Sequence, residues 1–166
     1  GGTLDDAVGE CYDKVARVIN VPYPGGPLVD KLSYEGKDTY KLPLPLDDNS
    51  YNFSFSGLKS AVINLVHNLE QRGEKVNVAD MCKSFQDVAV GLVIDRAKKV
   101  IERYDVKQVI LAGGVSANSY LREQMKIEMA KLGVNLNIPP MWCCTDNASM
   151  IAKVDPNWSI EEWNKF

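Results

Sequence analysis

Val109-Ile110-Leu111-Ala112-Gly113-Gly114-Val115-Ser116-Ala117-Asn118 reads as a strand, a paired-glycine turn and the opening of a helix. The apolar, β-branched run Lys107–Ala112 has strand length. Gly113 and Gly114 end it, because glycine tolerates backbone angles that other residues avoid. A helix is expected from Ser116 to Leu132. Val134-Asn135-Leu136-Asn137-Ile138 then alternates as a short strand and stops at Pro139-Pro140. Strand, helix and strand in that order make an α/β unit with parallel strands.

Working outward, five more helices are expected. Leu4, Val8, Cys11, Tyr12, Val15 and Ile19 recur at intervals of three or four, giving a helix over 4–19 with Thr3 as N-cap. Pro27 suits the first turn of a short second helix ending near Leu32. Residues 37–52 are polar and proline-spaced and read as a long surface loop. Residues 57–70 read as a third helix. Met81, Phe85, Val88, Leu92, Val100 and Tyr104 outline a long helix over 78–104, with Asn77 as its cap. Residues 146–153 also look helical.

Composition limits the function classes. The chain has 166 residues, 45% of them hydrophobic and 25% charged. It is therefore an ordinary folded chain, neither disordered nor fibrous. No stretch approaches the ~20 apolar residues of a membrane helix. Gly1 to Asp6 carry no secretory signal. Cys11, Cys82, Cys143 and Cys144 form no CxxC pair, so a reduced cytoplasmic setting is expected. The net charge of −3 provides no general attraction for nucleic acid. His67 is the single histidine, so no His-rich metal site can be built from these residues alone.

Several residues invite chemistry, each with a plain alternative. The glycine turn before Asn118 could hold a nucleotide against a helix N-terminus, or could serve only packing. Asp6, Glu10 and Asp13 fall on one helical face. Asp13 could accept hydrogen bonds from sugar hydroxyls, or simply pair with Arg17. Ser56-Gly57-Leu58-Lys59-Ser60 only imitates a phosphate loop, because Leu58 separates the glycine from the lysine. Arg96, Lys98, Lys99, Arg103 and Lys107 could face RNA, but Glu102 and Asp105 interrupt them and favour a solvated face. Asp146 could cap a helix or bind a metal.

Five segments together carry a resemblance. They are Gly1-x-Thr3-x-Asp5-Asp6-Ala7-x-Gly9-Glu10 with Asp13–Arg17, Pro22–Pro27, Asn52–Lys59, Ala112–Asn118 and Cys144–Ala148. In this order they resemble the tRNA threonylcarbamoyladenosine synthase catalytic subunit family, formerly described as O-sialoglycoprotein endopeptidases. The similarity covers only the family's second half. It implies the second lobe of an actin/Hsp70/sugar-kinase-like, RNase H-like fold over 1–152, with 153–166 an atypical tail containing Trp158 and Trp163.

The resemblance also implies a reaction. The threonylcarbamoyl group passes from threonylcarbamoyl-AMP to N6 of the adenosine next to the anticodon, in tRNAs reading codons that start with A. By motif match, Asp13 and Gly26 contact the adenylate, Asp30 matches a further substrate contact of some bacterial members, Asn118 holds the nucleotide from the glycine turn, and Asp146 binds a divalent metal, usually iron. Phe53–Lys59 shape the lobe. The family's two metal-binding histidines lie in its first half, so the chain alone is expected to be inactive and to hold metal poorly. Implied partners are tRNA, a dimerising homologue and a P-loop ATPase. The competing expectation is a non-catalytic interaction module of the same system. A kinase or chaperone of the superfamily fits the motif set less well, and no nucleophile–base pair supports a protease.

Overall fold

The computed structural model describes residues 1–46, 48–140 and Cys144. The elements run α1 (Val8–Val18), α2 (Gly25–Ser33), α3 (Ser56–Gln71), α4 (Val78–Tyr104), β1 (Gln108–Ile110), a 3-10 turn (Gly114–Ala117), α5 (Ser119–Lys131) and β2 (Asn135–Asn137). The two strands pair in parallel, with Val109 opposite Leu136. This is the helix-rich α/β unit that the glycine turn predicts. The helix expected over 146–153 and the tail lie outside the described residues.

α4 organises the rest. Its 27 residues span ~40 Å. The first half packs with α1, α2 and α3 around Val15, Leu58, Met81 and Phe85. Tyr12 meets Phe85 edge-on, with ring centroids 4.9 Å apart. The second half packs with α5 around Val90, Ile101, Met125 and Met129. A helix enclosed on several sides buries more than one stripe. Gln86 and Arg96, which the apolar period passes over, are therefore inside. Tyr104, assigned to the stripe, is 64% exposed, because α4 ends there and the chain turns away at Asp105, φ 50°. Asn77 caps the helix as expected, accepting from Asp80 N–H at 3.2 Å.

The N-terminus departs from its local reading. Thr3 is not a helix cap. Gly2 and Leu4 bond to Phe53, and Thr3 forms a parallel bridge with it. Helix α1 begins at Val8, after Ala7. Asp5 instead binds the start of α3, accepting from Phe55 N–H (2.7 Å), Ser56 N–H (3.2 Å) and both the Ser54 and Ser56 hydroxyls (2.6 Å). Asp6 lies ahead of α1 and pairs with Lys14 (2.8 Å) and Lys59 (2.7 Å). Long-range bonds to a helix start here outweigh one local cap. Lys59 is thereby engaged within the chain, consistent with Ser56–Ser60 not being a phosphate loop.

Arg96 fastens the long loop. Its guanidinium donates to the carbonyls of Asn52 (3.1 Å), Asp48 (3.1 Å) and Leu46, and to Asp95 (3.0 Å). Lys98 pairs with Glu128, Lys99 with Asp95 and Lys107 with Asp105. Four of the five stripe cations are thus engaged within the chain, one as a buried staple and three in surface pairs, as a solvated face predicts. His67 is exposed on α3. Among the described residues, no helix is long and apolar enough to cross a membrane.

Two expectations follow. Arg96→Ala removes several charge-assisted bonds and should destabilise the fold by about 2 kcal/mol or more. Urea denaturation measures that loss, and limited proteolysis should show the earliest cleavage within residues 41–52. The second expectation concerns acid. Partial burial pulls the Asp5 carboxyl upward, but its four hydrogen bonds outweigh this and hold it at about 2, from an ordinary 3.8. Its stabilising effect is therefore complete above about pH 3.8 and fades as pH falls through about 2. The Asp5→Asn variant should start less stable at neutral pH and lose less between pH 4 and pH 2 (approximate bounds of that window), as read from urea midpoints.

Candidate functional site

Helix α1, the start of α2 and the start of α5 enclose a cavity of ≈ 1030 Å³. Asp13, Gly26, Asp30 and Asn118, nominated from four separate stretches of sequence, all line it. Ala7, Val8, Pro24, Pro27, Val115 and Ala117 give it largely apolar walls. Such a concave, mostly apolar space with a few convergent polar groups is the usual form of a small-molecule site.

Asp13 projects from α1 to the N-terminus of α2. Its Oδ1 accepts from Gly25 N–H at 2.9 Å and Gly26 N–H at 3.2 Å. Among the described residues, no hydrogen bond engages its Oδ2, and Arg17 forms no ion pair with it. The alternative Asp13–Arg17 pair does not form, because free N–H groups at a helix start are the stronger partner. Gly25 and Gly26 differ in purpose. A Cβ on Gly25 would stand 2.4 Å from Ala16 Cβ, so this glycine lets α2 press against α1. A Cβ on Gly26 would meet nothing of the chain within 4 Å. It would project into open space beside the cavity.

Asn118 is the N-cap of α5, not a residue one turn inside it. The 3-10 turn intervenes, and Gly113, at φ 91°, makes the bend into it. Asn118 Oδ1 accepts from Leu121 N–H at 2.7 Å. Asp30 is 7% exposed. Its Oδ2 accepts from Ser119 N–H (2.7 Å), and its Oδ1 accepts from Tyr120 N–H (3.2 Å). Both oxygens are held by the chain, so Asp30 supports the cavity wall from behind as well as lining it.

Sequence reasoning missed Gln86. This fully buried residue on α4 accepts from Tyr12 OH (3.1 Å) and Asn118 Nδ2 (2.9 Å). It donates to Asp30 Oδ1 (3.1 Å) and Ser33 Oγ (2.7 Å). The available signal was position. Gln86 falls four residues after Cys82 and three before Ala89, both buried, so it sits on the inward face.

The described residues contain no grouping of three or more His, Cys, Asp or Glu that could hold a metal ion. Asp146 lies outside them. Burial pushes the Cys11 and Cys82 thiols up to about 12, so neither offers a thiolate near neutral pH.

Fold and cavity define a helix-rich α/β chain with a largely apolar cavity that takes in two helix N-termini. The chain belongs to the family of tRNA N6-adenosine threonylcarbamoyltransferases, whose family model, TsaD, matches residues 1–153. It is 54% identical over 154 residues to the tRNA N6-adenosine threonylcarbamoyltransferase of Bacillus thuringiensis strain Al Hakam, covering 92% of this chain and 45% of the relative. It is 53% identical over 154 residues to the protein of the same name in Bacillus subtilis strain 168, covering 92% of this chain and 44% of the relative. For the Halalkalibacterium halodurans protein of that name, identity is 52% over 152 residues, covering 91% of this chain and 44% of the relative. The chain thus spans about half the length of the curated relatives it matches.

The two neighbouring glycines should separate packing from ligand space. Gly25→Ala should lower stability by about 1–3 kcal/mol through overpacking against Ala16. Gly26→Ala should leave stability unchanged or raise it by up to ~1 kcal/mol, since alanine is the better helix former. Thermal unfolding of the two variants side by side reads the difference.

Proposed function

We propose that this chain forms the nucleotide-holding wall of a threonylcarbamoyl transferase, within an actin/Hsp70/sugar-kinase-like lobe. The reaction is the family's: the threonylcarbamoyl group of threonylcarbamoyl-AMP goes to N6 of the adenosine next to the anticodon, and AMP leaves. The observation that carries the reading is the convergence of Asp13, Gly26, Asp30 and Asn118 on one cavity.

The geometry supports specific roles. Asp13 Oδ2 is an acceptor suited to a sugar hydroxyl. Gly26 leaves room beside it. Asn118 offers a donor, because its oxygen is used by Leu121. The apolar walls suit the faces of a base. Both helix N-termini are already met by carboxylates, Asp13 at α2 and Asp30 at α5. That favours a nucleoside's hydroxyls and ring over a bare phosphate at these two points.

Metal chemistry enters this reading only through the resemblance. A divalent metal, iron by that resemblance, would act as a Lewis acid on the transferred group. Asp146 is proposed as one ligand. The two family histidines are not among these 166 residues, whose one histidine is His67. We therefore expect nucleotide binding without transfer when the chain is alone. tRNA, the dimerising homologue and the P-loop ATPase are proposed partners of the intact enzyme in the cytoplasm.

Titration of the purified chain with AMP, followed by calorimetry, tests the reading. Saturable one-to-one binding is expected, weakened about tenfold or more by Asp13→Asn or Gly26→Ala. Absence of saturable binding, or indifference to both substitutions, overturns it. Threonylcarbamoyl transfer to tRNA by the chain without added protein would overturn the expectation of inactivity.

A further inference from the structure

We propose that Gln86 is a positioning residue of this cavity, locking Asn118 in the orientation its cap to Leu121 requires, so that an amide N–H is what Asn118 turns toward a ligand. The inference rests on the nucleotide reading for the ligand, but its geometry stands apart from it. Leu121 N–H can only donate, so the Asn118 atom 2.7 Å away is the oxygen. The Asn118 nitrogen therefore faces Gln86 at 2.9 Å, and the Gln86 atom there must be its oxygen. Gln86 Nε2 is left facing Asp30 Oδ1 at 3.1 Å, and a carboxylate accepts. A backbone donor at one end and a carboxylate at the other fix both amides without ambiguity.

The consequence is a defined polarity. Asn118 has its oxygen used by the helix start and one Nδ2 hydrogen used by Gln86. Its second Nδ2 hydrogen is the donor it offers at the cavity, next to the Tyr12 hydroxyl, which also lines it. Gln86 itself has no capacity left, since Tyr12 and Ser33 take its remaining lone pair and hydrogen. It does not line the cavity. Its action on a ligand passes through Asn118 and through Asp30, which holds the Ser119 and Tyr120 amides.

The test uses Gln86→Met, close in shape but without either polar group, and two readouts. Hydrogen exchange of the amides of Ser119, Tyr120 and Leu121 should accelerate by about tenfold or more, while those of α3 change by less than about twofold. AMP affinity should fall by about tenfold. Uniform acceleration across both regions means a general structural role and overturns the proposal. So does unchanged exchange at 119–121, or AMP affinity kept within about twofold. If the wild-type protein binds no AMP, the nucleotide reading fails, and the exchange pattern alone decides the positioning role. If Gln86→Met does not fold, Ser33→Ala serves, because Ser33 lies off the cavity and removes one partner of Nε2. About threefold faster exchange confined to 119–121 then supports the proposal, and no change overturns it.

Discussion

A neutral amide with no exposed surface must satisfy four hydrogen-bonding sites, and Gln86 does so with partners on three other segments. Its bonds reach Tyr12 on α1, Asp30 and Ser33 on α2, and Asn118 at the head of α5. An unsatisfied buried group costs ~1–3 kcal/mol, so the three helices are coupled in orientation, not only in contact. Apolar packing along α4 would tolerate small rotations of α2 or α5. The amide network is far less forgiving, because its bonds depend on direction as well as distance. The cavity walls inherit that constraint.

The same logic recurs along the chain as helix starts met by acidic side chains. Asp5 serves α3, Asp13 serves α2 and Asp30 serves α5. Each carboxylate comes from a segment earlier in the sequence than the helix it meets, so each bond also fixes how two segments dock. The cavity lies where two of these contacts come together. Charge there is already balanced against the helix dipoles, and what the cavity leaves uncommitted is selective: an acceptor at Asp13, a donor at Asn118, and apolar surface.

The sequence made the regular elements legible because their signals are local. The strand ahead of Gly113-Gly114, the Asn77 cap and the apolar spacing of α1 and α4 need no knowledge of the rest of the chain. Thr3 misled because capping chemistry is also local, whereas Gly2, Leu4 and Asp5 bond across about 50 residues to Phe53–Ser56. Gln86 and Arg96 were illegible for the same kind of reason. A polar residue on a helix reads as solvent-facing until every neighbour is placed. The candidate site was legible only through motifs. Asp13 and Asn118, taken singly, could not be separated from ordinary caps by spacing alone.

The structure shows why that separation was never available: capping uses only part of each side chain, so a cap can also be a ligand contact. A carboxylate has two oxygens and an asparagine amide has an acceptor and two donors. Asp13 caps α2 with Oδ1 and keeps Oδ2; Asn118 caps α5 with Oδ1, gives one hydrogen to Gln86 and keeps the other. The capping bonds are what hold the spare atoms in place. A side chain free of such bonds would have to lose rotamer freedom on meeting a ligand, at a cost of ~0.5–1.5 kcal/mol each. Here that ordering is complete when the chain has folded. The structural role of Asp13 and Asn118 is thus compatible with the ligand-facing role proposed for them, and would make it more efficient. Asp30 marks the limit of the argument, since both its oxygens are engaged and its part is to hold the backbone on which Asn118 stands.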